Sequence, residues 1–185
     1  RRVRRSSEHL MSLIEELPRF ARLDAGEERV LPEHVIAGEV IDETLDIVGP
    51  NAEEKGVRIR AEIPNEPIEL YTDRLKLRQI LLNLVANAIK YTDAGEVALV
   101  VRFTGLGAEL RIFFEVTDSG RGISAADQPH VFEAFWRVSQ ALTQHPEGGT
   151  GLGLSVARQL ARMLGGDVVI GRSEPGRGST FIASL

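Results

Sequence analysis

The sequence predicts an α+β fold built around a mostly antiparallel sheet. Three observations indicate this class: two pairs of strand-like segments are joined by glycine-containing turns, several segments carry apolar residues at helical spacing, and strands and helices do not alternate as they do in parallel βαβ units. The chain has 185 residues, 43% of them hydrophobic. That is enough for one well-buried domain with an appendage.

Apolar spacing and turn residues predict the individual elements. In chain order they are a helix over 10–21, a helix from about 32, strands at 57–63 and 68–72, a helix at 73–92, strands at 96–103 and 108–117, a helix from about 152, and strands at 167–173 and 178–185. The helix from about Pro32 is expected to be interrupted near Gly49 and Pro50, because proline lacks the N–H that a helix interior needs.

Charge and composition exclude several classes of protein. The net charge is −5 and the isoelectric point is near 5.5, so we expect no nucleic-acid partner. There is no cysteine, hence no disulfide framework. No apolar run of about 18 residues is present, so no membrane contact is expected in this segment. Because the chain starts at Arg1 inside a helical pattern, we expect it to be part of a longer protein.

Polar side chains share one face of the helix predicted at 73–92. At about 100° per residue, Asn83, Asn87 and Lys90 fall within an arc of roughly 60°, away from the face that carries Leu81. An amide oxygen is a hard ligand suited to Mg²⁺, and a lysine supplies a positive charge for phosphate. A solvated polar face is the alternative interpretation.

Two glycine-containing segments follow. In VTDSGRGIS, Asp118 ends a predicted strand. It could start a turn, or its carboxylate could accept a hydrogen bond from an exocyclic amine such as that of adenine, with Gly120 and Gly122 letting the backbone approach the base. In GGTGLGLS, at 148–155, glycines precede a helix and leave backbone N–H groups to face an anion. This second segment therefore favours a phosphate site.

The order of these segments resembles the ATP-binding catalytic domain of sensor histidine kinases, which belong to the GHKL or Bergerat-fold ATPases. The resemblance covers roughly residues 30–185. RQILLNLVANAIKYT is similar to the N box, DSGRG to G1, VFEAFWR to the F box, GTGLGLS to G2 and GRGSTF to G3. It implies a two-layer α/β sandwich with a mixed, mostly antiparallel sheet, covered by helices on one face and preceded by a short N-terminal helix.

The resemblance implies a role for each matching residue. Asn87 would bind Mg²⁺ with Asn83 assisting, and Lys90 would contact phosphate. The residues expected to contact the nucleotide are Tyr91, Asp118, Gly120, Gly122, Arg137, Gly149, Gly151, Leu152, Gly153 and Thr180. Among them, Asp118 would hold the adenine amine and Thr180 would lie behind the base. Arg137 is either a surface residue or reaches the phosphates.

The resemblance also divides the chain. Residues 1–28 resemble the second helix of a dimerisation and histidine-phosphotransfer hairpin, although Pro18 should kink or end that helix. Residues 29–185 would form the catalytic domain, with a mobile lid at about 124–148. The histidines are His9, His34, His130 and His145, and none lies in an acceptor motif. The phosphoacceptor histidine is therefore expected outside this chain.

One position separates kinases from hydrolases. In the gyrase and Hsp90 types, a glutamate one helical turn before the magnesium-binding asparagine activates water, and here that position is Asn83, which cannot take a proton at neutral pH. The resemblance thus implies the catalytic domain of a two-component protein-histidine kinase that uses ATP and Mg²⁺. An anti-sigma-type serine kinase of the same fold and a nucleotide-binding regulatory module without transfer are the alternatives.

The implied kinase has expected partners and an expected location. The partners are ATP, the phosphoacceptor helix of the parent kinase and a downstream response regulator receiver domain, with a homodimer as a further option. The expected location is the cytoplasm, and the parent chain could be anchored to a membrane through other segments. The stimulus and the cognate regulator do not follow from these residues.

Overall fold

A computed structural model describes residues 17–18, 20–105, 110–136 and 150–185. Residues 20–24 are helical. The elements that follow are β1 Glu33–Ile36, α1 Ala37–Lys55, β2 Val57–Glu62, β3 Glu69–Thr72, α2 Arg74–Tyr91, β4 Gly95–Thr104, β5 Arg111–Asp118, a 3-10 turn Gln128–His130, α3 Gly153–Met163, β6 Asp167–Glu174 and β7 Gly178–Ser184.

Five of these strands form one sheet in the order β2-β4-β5-β7-β6. All neighbours in it are antiparallel except β2 and β4, which are parallel. Parallel neighbours need a crossover, and here the chain between β2 and β4 passes through α2. The predicted mixed, mostly antiparallel sheet and both predicted hairpins are confirmed, while β1 and β3 pair separately as a two-stranded ribbon.

One face of the sheet carries the core. On β5, Ile112, Phe114 and Val116 alternate inward and are at most 1% exposed. The buried side of α2, which includes Leu81 and Leu84, joins them in one hydrophobic cluster. Each buried leucine contributes about 1.5–3 kcal/mol relative to an exposed one. This packing fixes the position of α2 over the sheet, and therefore the direction of its polar side chains.

The segment after Pro32 differs from its prediction. A strand over 33–36 pairs with β3, and the helix begins only at Ala37. That helix then continues through Pro50, where an interruption was predicted. It continues because its buried side carries Val48 before the proline and Ala52 after it, while Pro50 itself is exposed. Core packing on both sides of the proline thus outweighs the loss of one helical hydrogen bond.

Candidate functional site

A cavity of about 560 Å³ opens between α2, α3 and the end of β5. The start of α2 is fixed by Asp73, whose side chain accepts hydrogen bonds from the backbone N–H of Lys76 at 3.0 Å and of Leu31 at 2.9 Å. Since the apolar side of α2 is buried against the sheet, its polar side lines the cavity. Asn83, Asn87 and Lys90 therefore lie on one wall, as their spacing predicts.

The amide of Asn83 is held by its own helix. The Gln79 side-chain N–H₂ donates to Asn83 Oδ1 at 3.1 Å, one turn earlier on α2. The carboxylates that line the cavity among the described residues are those of Glu28 and Asp118. Glu28 pairs with Lys76 at 3.0 Å. Lys76 lies seven residues before Asn83 on α2, which is about 10 Å along the helix axis because each residue rises about 1.5 Å. The position one turn before Asn87 thus carries an amide and no base.

Asp118 ends β5 at the opposite wall. Its side chain is 6% exposed and accepts the Gly120 backbone N–H at 2.9 Å. Burial raises the pKa of this carboxyl above its ordinary value, while hydrogen bonds from the backbone N–H groups of Gly120 and Ser179 lower it in part. A buried carboxylate that lines an open cavity is suited to accept a hydrogen bond from a ligand amine.

The loop after Asp118 is tied to the end of α2. The Arg121 backbone N–H donates to the Tyr91 carbonyl at 3.3 Å, and the Arg121 guanidinium lies 4.3 Å from the centre of the Tyr91 ring. The Lys90 ammonium lies 4.8 Å from the same ring. Gly122 has a φ of +67°, and a Cβ there would overlap the Glu174 carbonyl. Arg121 from the loop and Lys90 from α2 therefore both lie close to one aromatic ring on the cavity wall.

The N-terminus of α3 faces the cavity from a third side. Its first residue is Gly153, and the preceding Leu152 supplies no side-chain cap to the free N–H groups. Gly151 has a φ of +77° and accepts the Phe135 N–H at 3.1 Å. A Cβ at position 151 would lie 2.9 Å from the Trp136 carbonyl oxygen. Uncapped N–H groups and the positive end of the helix dipole make this wall suited to an anion.

The aromatic segment forms turns, although its spacing is helical. Residues 131–135 are turns and a bend, and Phe135 has a φ of +65°, which a helix does not permit. Phe132 packs edge-on against Phe181 at 6.2 Å between ring centres, and Phe135 packs edge-on against Phe20 at 5.9 Å. The two aromatic residues thus have different surroundings: Phe132 packs against the core, while Phe135 is half-exposed and its N–H is bound to Gly151.

The structure brings together most of the predicted site residues. Those that line the cavity are Asn83, Asn87, Lys90, Tyr91, Asp118, Gly122, Gly151 and Gly153. Gly120 lies behind them, bound to Asp118, and Leu152 is fully buried. Arg137 and Gly149, with residues 137–148 of the predicted lid, lie outside the described residues.

Thr180 is placed away from the cavity. Its hydroxyl hydrogen-bonds that of Thr117 at 3.0 Å, and both residues are one position out of phase with Asp118, so they lie on the other face of the sheet. The neighbouring Ser179, paired directly with Asp118, lines the cavity in its place. The structure thus contradicts the expectation that Thr180 lines the cavity, and Ser179 has that position; strand alternation is the signal that distinguishes the two.

Sequence reasoning also missed other lining residues. They include Arg121, Ile123, Val131, Trp136, Thr150 and Phe181. Four of these are apolar or aromatic; Val131, Trp136 and Phe181 lie inside the recognised motifs and Ile123 follows one, so their place in the motifs is the available signal. Among the described residues, no group of three or more His, Cys, Asp or Glu side chains could hold a metal, and no helix is long and apolar enough to cross a membrane.

Comparison with known proteins agrees with this geometry. The family model described as histidine kinase-, DNA gyrase B-, and HSP90-like ATPase matches residues 72–185. The signal transduction histidine-protein kinase BarA of Escherichia coli (strain K12) is 33% identical over 97% of this chain and 20% of its own length. The chain thus spans about a fifth or less of the length of the curated relatives it matches.

Two solved structures share the fold. Full-length ShkA in complex with AMPPNP is 32% identical, with a TM-score of 0.78 over 97% of this chain and 36% of its own. The nucleotide-free catalytic domain of histidine kinase ThkA has a TM-score of 0.69 at 24% identity, over 84% of this chain and 97% of its own. The chain therefore belongs to the histidine kinase-, DNA gyrase B- and HSP90-like ATPases, and its fold is that of a histidine kinase catalytic domain.

Proposed function

We propose that this chain is the ATP-binding catalytic domain of a two-component sensor histidine kinase, and that it transfers the γ-phosphoryl group of ATP to a histidine outside residues 1–185. The observation that carries the proposal is one cavity with three chemically different walls. A buried carboxylate at Asp118 suits the adenine amine, the uncapped start of α3 suits phosphates, and Asn87 and Lys90 lie on α2 between α3 and β5. The AMPPNP bound to ShkA, a relative in fold and sequence, supports nucleotide as the ligand.

The donors in the cavity fit magnesium brought in with the nucleotide. Mg²⁺ prefers oxygen ligands and is usually held by one or two protein groups together with substrate phosphates and water. Asn87 offers one such amide oxygen on the cavity wall. When bound, Mg²⁺ would neutralise charge on the β- and γ-phosphates. Asn87 would hold the metal, Asn83 would support it from one turn earlier, and Lys90 would face the phosphate oxygens.

The reaction needs little chemistry from the protein itself. The lone pair of a neutral imidazole nitrogen attacks the γ-phosphorus, the bond from that phosphorus to the β,γ-bridging oxygen breaks, and ADP leaves with the electron pair while the imidazole proton passes to solvent. Imidazole is neutral near physiological pH and needs no base to attack. Positioning by Asp118 and charge neutralisation by Lys90 then lower the barrier. Water would need a base, and the amide of Asn83 is not one.

The remaining parts of the proposal concern regions around the site. Residues 1–28 would end a dimerisation and phosphotransfer hairpin, and residues 29–185 would be the catalytic domain with its lid near 124–148. The partners would be the phosphoacceptor helix, a receiver domain and a second copy of the parent kinase. This reaction would run in the cytoplasm, where ATP is available. The proposed helix role is supported by the helical residues 20–24, whose Leu23 packs into the core.

Restoring a base at position 83 tests kinase against hydrolase chemistry. Asn83→Glu should raise ATP hydrolysis by about tenfold or more, because a positioned base contributes about 10²–10⁴-fold when fully effective. Asn83→Gln is the matched control, with the same length and no base, and should hydrolyse ATP as slowly as the wild type. ATP binding is measured in parallel by calorimetry. Wild-type hydrolysis as fast as that of Asn83→Glu would contradict the proposal, and so would a wild type that binds no ATP.

A further inference from the structure

A lysine outside every recognised motif reaches the end of the helix that carries Lys90 and Tyr91. Lys55, the last residue of α1, donates from its ammonium group to the backbone carbonyl of Ile89 at 2.9 Å and also to that of Lys90. The two helices are separated by 34 positions in the sequence at this contact. Lys55 does not line the cavity. Its contact with the helix that lines the site is made through the backbone of α2.

The end of α2 needs such a partner. A helix leaves its last four carbonyls without helical partners, and many helices satisfy them through a glycine in the left-handed conformation. The cap of α2 is Thr92, in an extended conformation, whose hydroxyl donates to the Ala88 carbonyl at 2.8 Å and whose backbone N–H donates to the Ile89 carbonyl at a longer 3.4 Å. The Tyr91 carbonyl accepts the Arg121 N–H. Lys55 supplies a charged donor to the Lys90 carbonyl and gives the Ile89 carbonyl a second hydrogen bond, shorter than the one from Thr92.

Lys55 is not required at the end of its own helix. Gly56 has a φ of +72°, and its backbone N–H donates to the carbonyls of Ala52 and Glu53, so α1 is capped by its own backbone. No carboxylate of the described residues forms an ion pair with Lys55. The half-buried ammonium therefore has the carbonyls of the other helix as its described partners, and charged donors make stronger hydrogen bonds than neutral ones.

We propose that Lys55 is a positioning residue of the nucleotide site, which fixes the last turn of α2 and with it the side chain of Lys90. The proposal rests on the proposed function, since it assigns Lys90 to the phosphates of ATP. Without Lys55, the carbonyls of Ile89 and Lys90 would accept hydrogen bonds from water in place of the ammonium group. Binding of ATP would then have to order that turn, at a cost in affinity.

A double-mutant cycle separates positioning from general support of the fold. Lys55→Met should weaken ATP binding about fivefold by calorimetry, and Lys90→Ala should weaken it more. The double variant should bind within about twofold of Lys90→Ala alone, because Lys55 acts through Lys90. Lys55→Arg, which keeps a charged donor of similar length, should recover most of the affinity. Arg58→Met removes an exposed positive charge three residues away and should leave affinity unchanged.

Several results would overturn the proposal. They are unchanged ATP affinity in Lys55→Met, or a double variant whose loss is the product of the two single losses. Lys55→Gln, which keeps one neutral donor, provides a second variant if Lys55→Met unfolds. If both are unfolded by circular dichroism at the assay temperature, Lys55 supports the fold as a whole and the positioning role is refuted. A wild type that binds no ATP would instead refute the proposed function, so the two failures are distinguishable.

Discussion

Replacement of Asp118 by asparagine should separate stability from nucleotide binding. The carboxylate accepts backbone N–H groups of Gly120 and Ser179, and its Oδ1 receives the Gly120 N–H at 2.9 Å. Asparagine has one acceptor oxygen in the same shape, so it can keep the bond from the Gly120 N–H. Its NH₂ group would then face the cavity, where we propose that the adenine amine also donates. Two donors would meet at the point where the wild type has a donor and an acceptor.

The magnitudes follow from these contacts. A hydrogen bond to a charged group is worth about 1.5–3 kcal/mol, so ATP affinity should fall by about 10- to 150-fold. Stability should not fall with it. Burial raises the pKa of Asp118, so the folded state holds this proton more tightly than the unfolded state does. The contribution of Asp118 to the free energy of unfolding is thus greatest at acid pH and is lost as pH rises through the folded-state pKa. At pH 7 the wild type buries a charge that asparagine does not carry. The free energy of unfolding of Asp118→Asn at pH 7 should therefore equal that of the wild type or exceed it by up to about 1 kcal/mol.

Calorimetry for ATP affinity and thermal unfolding without nucleotide measure the two effects on the same samples. Asp167→Asn is the matched control, since it makes the same chemical change at an aspartate outside the cavity, and it should alter stability without altering affinity. ATP affinity within twofold of wild type in Asp118→Asn would remove Asp118 from the nucleotide site. A loss of more than about 2 kcal/mol of stability would show that the carboxylate serves the fold.

Three further predictions use the same measurements. Asn87→Ala should abolish the dependence of ATP affinity on Mg²⁺, whereas unchanged dependence would refute Asn87 as the ligand. Gly151→Ala should lose about 1–3 kcal/mol more stability than Gly165→Ala, which has a similar positive φ but no atom in the way; equal losses would contradict the steric argument. Asp167→Asn should lose about 0.5–1 kcal/mol at pH 7, because Arg158 lowers the Asp167 pKa to about 2. That difference should fade from about pH 4 to pH 2, as the wild type also loses this contribution, and a difference that persists at pH 2 would contradict the ion pair.

The parts of the fold that local pattern determines could be predicted from the sequence. The helix predicted at 73–92 is observed at 74–91, because its buried stripe and its Asp73 cap are both local signals. The strand at 33–36 was not predicted, because four residues are too few to show an alternation of polar and apolar side chains. They also follow Pro32, and proline is common at the first position of a helix. An interruption was predicted at Pro50 because the apolar residues on both sides of it stabilise the helix only when they pack into the core of the folded domain.

The site residues could be predicted where a residue of distinctive chemistry lies on a regular helix or strand. Asn87, Lys90 and Asp118 reach the cavity because each lies on a regular element with a known direction. The prediction that Thr180 lines the cavity was wrong by one position, because alternation along β7 decides which of two neighbouring hydroxyl residues faces the cavity. Lys55 had no local signal at all, because the carbonyls that it binds come from the end of another helix. Tertiary contacts of this kind are invisible to periodicity.

Transfer of labelled phosphate to a separate helix tests the central proposal most directly. Residues 1–185 are incubated with γ-labelled ATP and Mg²⁺, with and without a hairpin that carries the parent kinase's acceptor histidine, and the label is mapped. We expect label on the added hairpin, acid-labile and alkali-stable as phosphohistidine is, and no stoichiometric label on the chain itself. Stoichiometric label on His9, His34, His130 or His145, or fast release of phosphate with no transfer to the hairpin, would contradict the account.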